Sequence, residues 1–232
     1  MSGAPKKAGG KGPGNGAGKP MSSGPPPREV RIIGGVWKRS KLPVLNHPGL
    51  RPSPDRVRET LFNWLGQDLS GWRCLDAFAG TGALGFEAAS RGAASVQLVE
   101  REPRLARCLQ ESVDRLKAAS TVQVAKADAF SWMARSAPQA WELVFLDPPF
   151  ADQLFEKAVM TAVRLVVPDG FIYLEADRDI EAAALAEIGL TVTRHSKAGA
   201  VHFFLLQRSA VTPSVVPSAD APDATEAPEA AD

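Results

Sequence analysis

Short apolar runs alternate with helical patterns through most of this chain, and that alternation restricts its fold more than any other feature. Residues 72–78, 95–100, 122–125, 143–146 and 171–175 read as strands. Helical segments fall between them: one after Gly82 with Leu84 and Ala88 inward, then 103–116, 152–166 and 180–187. Repeated strand–helix–strand order implies an α/β fold with a mainly parallel sheet. Two last strands, near 190–196 and 200–207, have only Lys197-Ala-Gly between them. They are expected to close the sheet as an antiparallel hairpin. In open sheets of this kind, ligands bind at the carboxyl ends of the strands.

Candidate site residues fall at those ends. Residues 143–150 read Leu-Val-Phe-Leu-Asp-Pro-Pro-Phe. Pro148 and Pro149 lack amide hydrogens, so the ladder stops there and Asp147 stands at a strand's carboxyl end. A strand ending in a plain Pro-Pro turn is the structural alternative. Residues 76–82, Asp-Ala-Phe-Ala-Gly-Thr-Gly, follow the first strand and lead into a helix. Strand, glycine loop and helix form the first half of a nucleotide-binding unit. Glycine there lets a ligand approach the backbone. Asp76, four residues before Gly80, is not needed by a pyrophosphate but suits a cationic ammonium group. Glu100 ends the second strand, where an acid accepts hydrogen bonds from ribose hydroxyls. Asp128-Ala129 lies at a loop after the third strand.

The amino-terminal part reads differently. In residues 29–45, Val30, Ile32 and Val36 partly alternate with charged residues, and Gly34-Gly35 is a turn signal, so a small β-hairpin arm is expected. Arg31, Lys38, Arg39 and Lys41 make it basic around Trp37. Cations and an aromatic ring suit nucleic acid; the alternative is a solvated hairpin with Trp37 packed on the main domain. After a Pro-rich loop, Ser53 as N-cap and Pro54 at the first helical position open a helix with Val57, Leu61, Trp64 and Leu65 on its apolar face. Arg51, Asp55, Arg58 and Glu59 cluster at its start, either as a solvated helix end or as one wall of the ligand site.

Net charge is only +1, but its distribution is uneven. Residues 1–28 are basic and residues 209–232 acidic; both are rich in Gly, Pro, Ser and Ala, with little to bury, and both are expected to be disordered. Met21 is a second candidate start. No run reaches the ~18 apolar residues of a membrane helix, and no apolar signal segment opens the chain. Two cysteines, Cys74 and Cys108, placed in core elements fit a cytoplasmic protein. The histidines His47, His195 and His202 share no metal-ligand spacing, so no metal is expected.

These residues carry a family likeness. The sheet with an antiparallel last strand is similar to the Rossmann-like, seven-stranded sheet of methyltransferases that use S-adenosylmethionine, here with a small basic β-arm added. Residues 76–82 resemble their first motif, Glu100 their ribose-binding acid and Asp128-Ala129 their adenine-contacting pair. Asp147-Pro-Pro-Phe150 resembles the motif of enzymes that methylate exocyclic amino groups. More narrowly, residues 31–38, 51–65 and 76–88 resemble the bacterial methyltransferases of guanine N2 in 16S ribosomal RNA, whose target is guanine 966 in the family's usual numbering. Ser53 stands where that family is expected to have threonine.

The likeness covers residues 29–208, as an arm (29–50) and a methyltransferase domain (51–208). It implies S-adenosylmethionine as cofactor, held by Asp76, Phe78, Gly80, Gly82, Glu100, Asp128 and Ala129. It implies a target base held by Asp147, Pro148, Pro149 and Phe150, and RNA contacts from Arg31, Trp37, Lys38, Arg39 and Arg51. The partner would be 16S ribosomal RNA or a small-subunit assembly particle, and nothing demands more than a monomer. Two rivals stand beside this reading: an N6-adenine or N4-cytosine DNA methyltransferase, and a non-catalytic RNA-binding assembly protein.

Overall fold

The computed structural model of the protein describes residues 28–47, 50, 52–149 and 154–209. Expectations for residues 1–27 and 210–232, for Arg51 and for Phe150 lie outside these residues; Arg28, expected in the disordered tail, instead opens a strand, and Ser209 N bonds Gly189 O.

Two strands, β1 (Arg28–Arg31) and β2 (Lys41–Val44), pair antiparallel as the arm. The main sheet contains β3 (Arg73–Asp76), β4 (Ser95–Glu100), β5 (Val122–Lys126), β6 (Trp141–Leu146), β7 (Val166–Ala176), β8 (Leu190–Ala198) and β9 (Val201–Arg208). Their order is β5-β4-β3-β6-β7-β9-β8. The first five run parallel, and β9 is antiparallel to both β7 and β8. The helices are α1 (Asp55–Trp64), α2 (Ala83–Ser90), α3 (Pro103–Arg115), α4 (Ala129–Arg135), α5 (Phe155–Ala162) and α6 (Ala182–Glu187).

Side chains alternate between the two sheet faces, and so do the two cores. Cys74, Val96, Leu98, Leu143, Phe145 and Tyr173 pack with Leu61 and Phe62 of α1, Phe86 of α2 and Leu109 of α3. Leu75, Val99, Val144, Leu146, Ile172 and Leu174 pack with Met133 of α4, Val159 of α5 and Leu185 of α6. Each fully buried Leu or Phe contributes about 1.5–3 kcal/mol. The arm belongs to the first core, through Ile32 and Leu42.

Several boundaries differ from the sequence expectation. Helix 152–166 is α5 alone among the described residues, because Val166 already begins the long strand β7. Asp128-Ala129 is not a plain loop: Asp128 accepts from Ser131 N at 2.8 Å and caps the unanticipated helix α4. Gly34-Gly35 is not a tight hairpin turn. Residues 32–40 link the arm strands, and Val36 N donates to Ser90 O (2.8 Å) at the end of α2. Ser53 is not the N-cap of α1. Pro54 takes that position without a side-chain bond, and the Ser53 hydroxyl is used elsewhere.

Nor is the start of α1 a solvated end. Arg58 is wholly buried, as is Glu87 of α2. Glu87 accepts from Ile33 N and Gly34 N at 2.7 Å each, from Arg58 Nη1 at 3.4 Å and from Arg91 Nη2 at 2.8 Å. Arg58 also donates to Ser53 O (3.2 Å) and Asp55 Oδ1 (2.6 Å). One buried carboxylate thus ties the arm loop, α1 and α2 together. Without it the buried Arg91 would lose its counter-charge and Arg58 would keep Asp55 alone.

Candidate active site

Register places four acids at neighbouring strand ends. Asp76 is level with Leu98 of β4 and Phe145 of β6, and Phe145 is level with Tyr173 of β7. Two residues further along each strand stand Glu100, Asp147 and Glu175. Because the step is two, all three keep the face of Leu98, Phe145 and Tyr173, the side covered by α1, α2 and α3. Asp76 lies one tier lower, about 7 Å by the strand rise. The row therefore runs Glu100, Asp147, Glu175 across the top, with Asp76 beneath.

Each acid is held differently. Glu100 accepts from Gly80 N (2.9 Å) with one oxygen and Glu102 N (2.8 Å) with the other, so it pins the glycine loop as well as facing the ligand edge. Asp76 is buried and accepts from Gly85 N of α2 at 3.0 Å. Burial pushes its carboxyl up to about 7; the Gly85 bond opposes this and Glu100 adds to it. Glu175 is buried, and its Oε1 accepts from Ser53 Oγ (2.5 Å) and Tyr173 Oη (2.8 Å). Burial raises Glu175 as well, against the pull of those two donors. Asp147 is half-buried, and burial, Glu175 and Asp76 together hold its carboxyl well above the usual carboxylate range. Among the described residues, none of these four acids pairs with Lys or Arg.

A tier of acids without counter-charge suits a cation. A positive group above it would favour the ionised forms of Asp76, Asp147 and Glu175. The backbone alongside is shaped for a close approach. Gly82 has φ +75°, and a Cβ on it would meet Leu109 Cδ2 and Phe86 Cδ2 at 2.7 Å. Gly85 lets α2 lie on the sheet, since its Cβ would stand 2.2 Å from Leu98 Cδ2. Gly80, Gly82 and Gly85 thus complete a Gly-x-Gly-x-x-Gly series whose third member the sequence reading did not use. Phe78 meets Phe130 edge-on, at 5.7 Å between ring centroids. Asp128 is held below the usual carboxylate range, chiefly by the Ser131 N–H it accepts. These residues fit a ligand with a cationic centre, a ribose and a base.

The segment expected to hold a base is described as far as Pro149: Pro148 is buried and Pro149 exposed. The arm residues Trp37, Lys38 and Arg39 lie away from this edge, whereas Arg31, beside Val30, lies nearer to it. Val30 and Val44 pack on Ala83 at the start of α2, whereas Trp37 N bonds Ser90 Oγ (2.9 Å) at its end. The arm therefore runs the length of that helix, about 12 Å. Lys38 and Arg39 are exposed, and Arg31 is exposed with Asp55 Oδ2 at 3.8 Å. Trp37 is half-buried against the main core, which is the packed alternative for that ring.

Sequence reasoning missed Ser53, Glu87, Tyr173 and Glu175. It also treated the histidines as unrelated. Pairing of β8 with β9 brings His195 Nε2 within 3.1 Å of His202 Nδ1, with Asp179 close by on the surface.

Comparison with known proteins shows the family. The family profile described as Conserved hypothetical protein 95 matches residues 30–207. A protein of Escherichia coli K12 named Ribosomal RNA small subunit methyltransferase D is 39% identical over 194 residues, 83% of this chain and 96% of the relative. The protein of the same name from Haemophilus influenzae is 43% identical over 155 residues, 65% of this chain and 80% of the relative. Among solved structures, yhhF from Escherichia coli superposes with a TM-score of 0.67 at 35% identity, covering 79% of this chain and all of that one (100%).

Proposed function

The chain belongs to the Conserved hypothetical protein 95 family, and on that premise we propose that it transfers a methyl group from S-adenosylmethionine to the exocyclic N2 of a guanine in 16S ribosomal RNA. The target would be guanine 966 in the family's usual numbering, in free RNA or in a small-subunit assembly particle. The observation that carries the reading is the unpaired tier of Glu100, Asp147 and Glu175 above Asp76, beside the glycine loop. Two close relatives bear the name of a small-subunit ribosomal RNA methyltransferase.

In this reading the Gly80–Gly82 loop admits the methionine part of the cofactor, Glu100 holds the ribose hydroxyls and Asp128 accepts from the adenine amino group. Asp76 and its neighbours answer the cofactor's positive charge. When bound, the cofactor supplies a methyl group on a positively charged sulfur, ready for transfer to a nucleophile.

Guanine N2 is a weak nucleophile because its lone pair delocalises into the ring. Asp147 and the carbonyl oxygen of Pro148 accept one amino hydrogen each. That would orient the amine toward the donated methyl group and favour a pyramidal nitrogen. The nitrogen would shed a proton on being methylated. The carboxyl of Asp147, raised by burial, Glu175 and Asp76, is a better proton acceptor than an ordinary aspartate. Phe150 stacks on the base, and exposed Arg31, Lys38 and Arg39 meet phosphates of the surrounding RNA. The spacing along α2 means that Lys38 and Arg39 meet RNA away from the target base, with Arg31 nearer to it.

The experiment is transfer of a labelled methyl group to small-subunit RNA, free and assembled, with the product nucleoside identified after digestion. N2-methylguanosine is expected. N6-methyladenosine, N4-methylcytidine or no transfer to either substrate would overturn the proposal.

A further inference from the structure

We propose that Glu175 is a second base-reading acid, which accepts the N1–H of the target guanine while Asp147 holds its 2-amino group. The inference rests on the guanine-N2 reading and adds to it a residue that selects the base.

Leu146 and Leu174 are partners in the parallel pairing of β6 and β7, so Asp147 and Glu175 follow at the same level on adjacent strands, on one face. Neighbouring strands lie about 4.8 Å apart. Guanine presents two adjacent donors on its Watson–Crick edge, N1–H and the 2-amino group. Adenine and cytosine pair their amino group with a ring nitrogen that accepts. In their ionised forms, which the cofactor's positive charge favours, two adjacent carboxylates match guanine and oppose the lone pair of either rival.

Glu175 is built for this use. Only 4% of it is exposed, yet Ser53 Oγ and Tyr173 Oη both bond the same oxygen, Oε1. Among the described residues Oε2 accepts no hydrogen bond. Ser53 is itself fixed: Arg58 donates to its carbonyl oxygen, and Arg58 is held in turn by Asp55 and Glu87. The chain of contacts holds the carboxylate through Oε1 and leaves Oε2 for another donor. A guanine N1–H supplies that donor where 2-aminopurine would not. Accepting from N1–H also sends electron density into the ring and toward N2, where the new bond forms.

The test uses small subunits reconstituted with RNA that carries guanine or 2-aminopurine at the methylated position. 2-Aminopurine keeps the 2-amino group but has an accepting N1. Wild-type enzyme is expected to methylate guanine about 10- to 100-fold more efficiently, the discrimination of one well-placed base contact. Glu175→Gln keeps an oxygen for Ser53 and Tyr173 but offers an N–H to the base, so it should reverse that preference. Melting temperature is followed in parallel. Equal wild-type rates on the two bases would overturn the inference even if the variant failed to fold. So would a Glu175→Gln enzyme slowed equally on both, which would leave Glu175 as a support for Ser53 and Tyr173. No wild-type transfer to guanine at all would instead refute the guanine-N2 reading.

Discussion

Asp76→Asn should stabilise the free protein, and more so as pH rises. Asp76 is buried under the row of acids with a carboxyl raised from 3.8 to about 7. The folded state then binds a proton that the unfolded chain has released. Its contribution to stability is full below about pH 4 and is lost progressively as pH rises through about 7. At 1.36 kcal/mol per unit, the buried charge costs the wild type about 4 kcal/mol at pH 8 and about 1.5–2 kcal/mol at pH 5. Asparagine keeps an acceptor for Gly85 N and never ionises. Its advantage over aspartate should therefore grow by about 2–3 kcal/mol between pH 5 and pH 8. Urea unfolding of both proteins at the two pH values reads this as a difference of differences, which removes any constant packing effect. The same variant should bind S-adenosylmethionine more weakly at pH 8, because the cation loses a partner. An Asn-minus-Asp stability difference that is identical at the two pH values would refute the electrostatic argument.

Glu87→Gln leaves Arg91 buried without its counter-charge and Arg58 with Asp55 alone, and should cost about 3–5 kcal/mol; urea unfolding with limited proteolysis should show the 32–40 loop cut sooner, and a loss below about 1 kcal/mol would contradict the network. Glu100→Ala should weaken S-adenosylmethionine binding by about 1–3 kcal/mol in calorimetry, partly by freeing Gly80 N; unchanged affinity would remove Glu100 from the cofactor site. Replacing Lys38 and Arg39 together by Ala should lower RNA affinity and flatten its salt dependence with cofactor affinity intact; an unchanged salt slope would make the arm purely structural.

Much of the fold was legible because strand runs and helical spacing are local. The order of elements, the antiparallel end of the sheet and the N-terminal hairpin all follow from periodicity. Asp76, Glu100 and Asp147 were legible as candidate site residues because each ends an apolar run. Glu175 ends one too, but its partnership with Asp147 depends on β6–β7 register, which no spacing within the chain encodes. Ser53 read as an N-cap from its place before Pro54, and only the tertiary approach of β7 diverts its hydroxyl to Glu175. Glu87 looked like one more polar residue of α2, since the arm that buries it lies 53 residues upstream at Gly34. His195 and His202 are likewise joined by strand pairing. Gly85 was different: the third glycine was in plain view at the expected interval.

Asp147 tests the central claim most directly. Single-turnover methyl transfer to guanine in small-subunit RNA should be measured for wild type, Asp147→Asn and Asp147→Ala, beside melting temperature and S-adenosylmethionine affinity. Asparagine keeps one acceptor for the amine and should retain more activity than alanine, which should nearly abolish transfer, while cofactor binding persists in both. A variant Asp147→Ala that forms N2-methylguanosine at the wild-type rate would contradict the account.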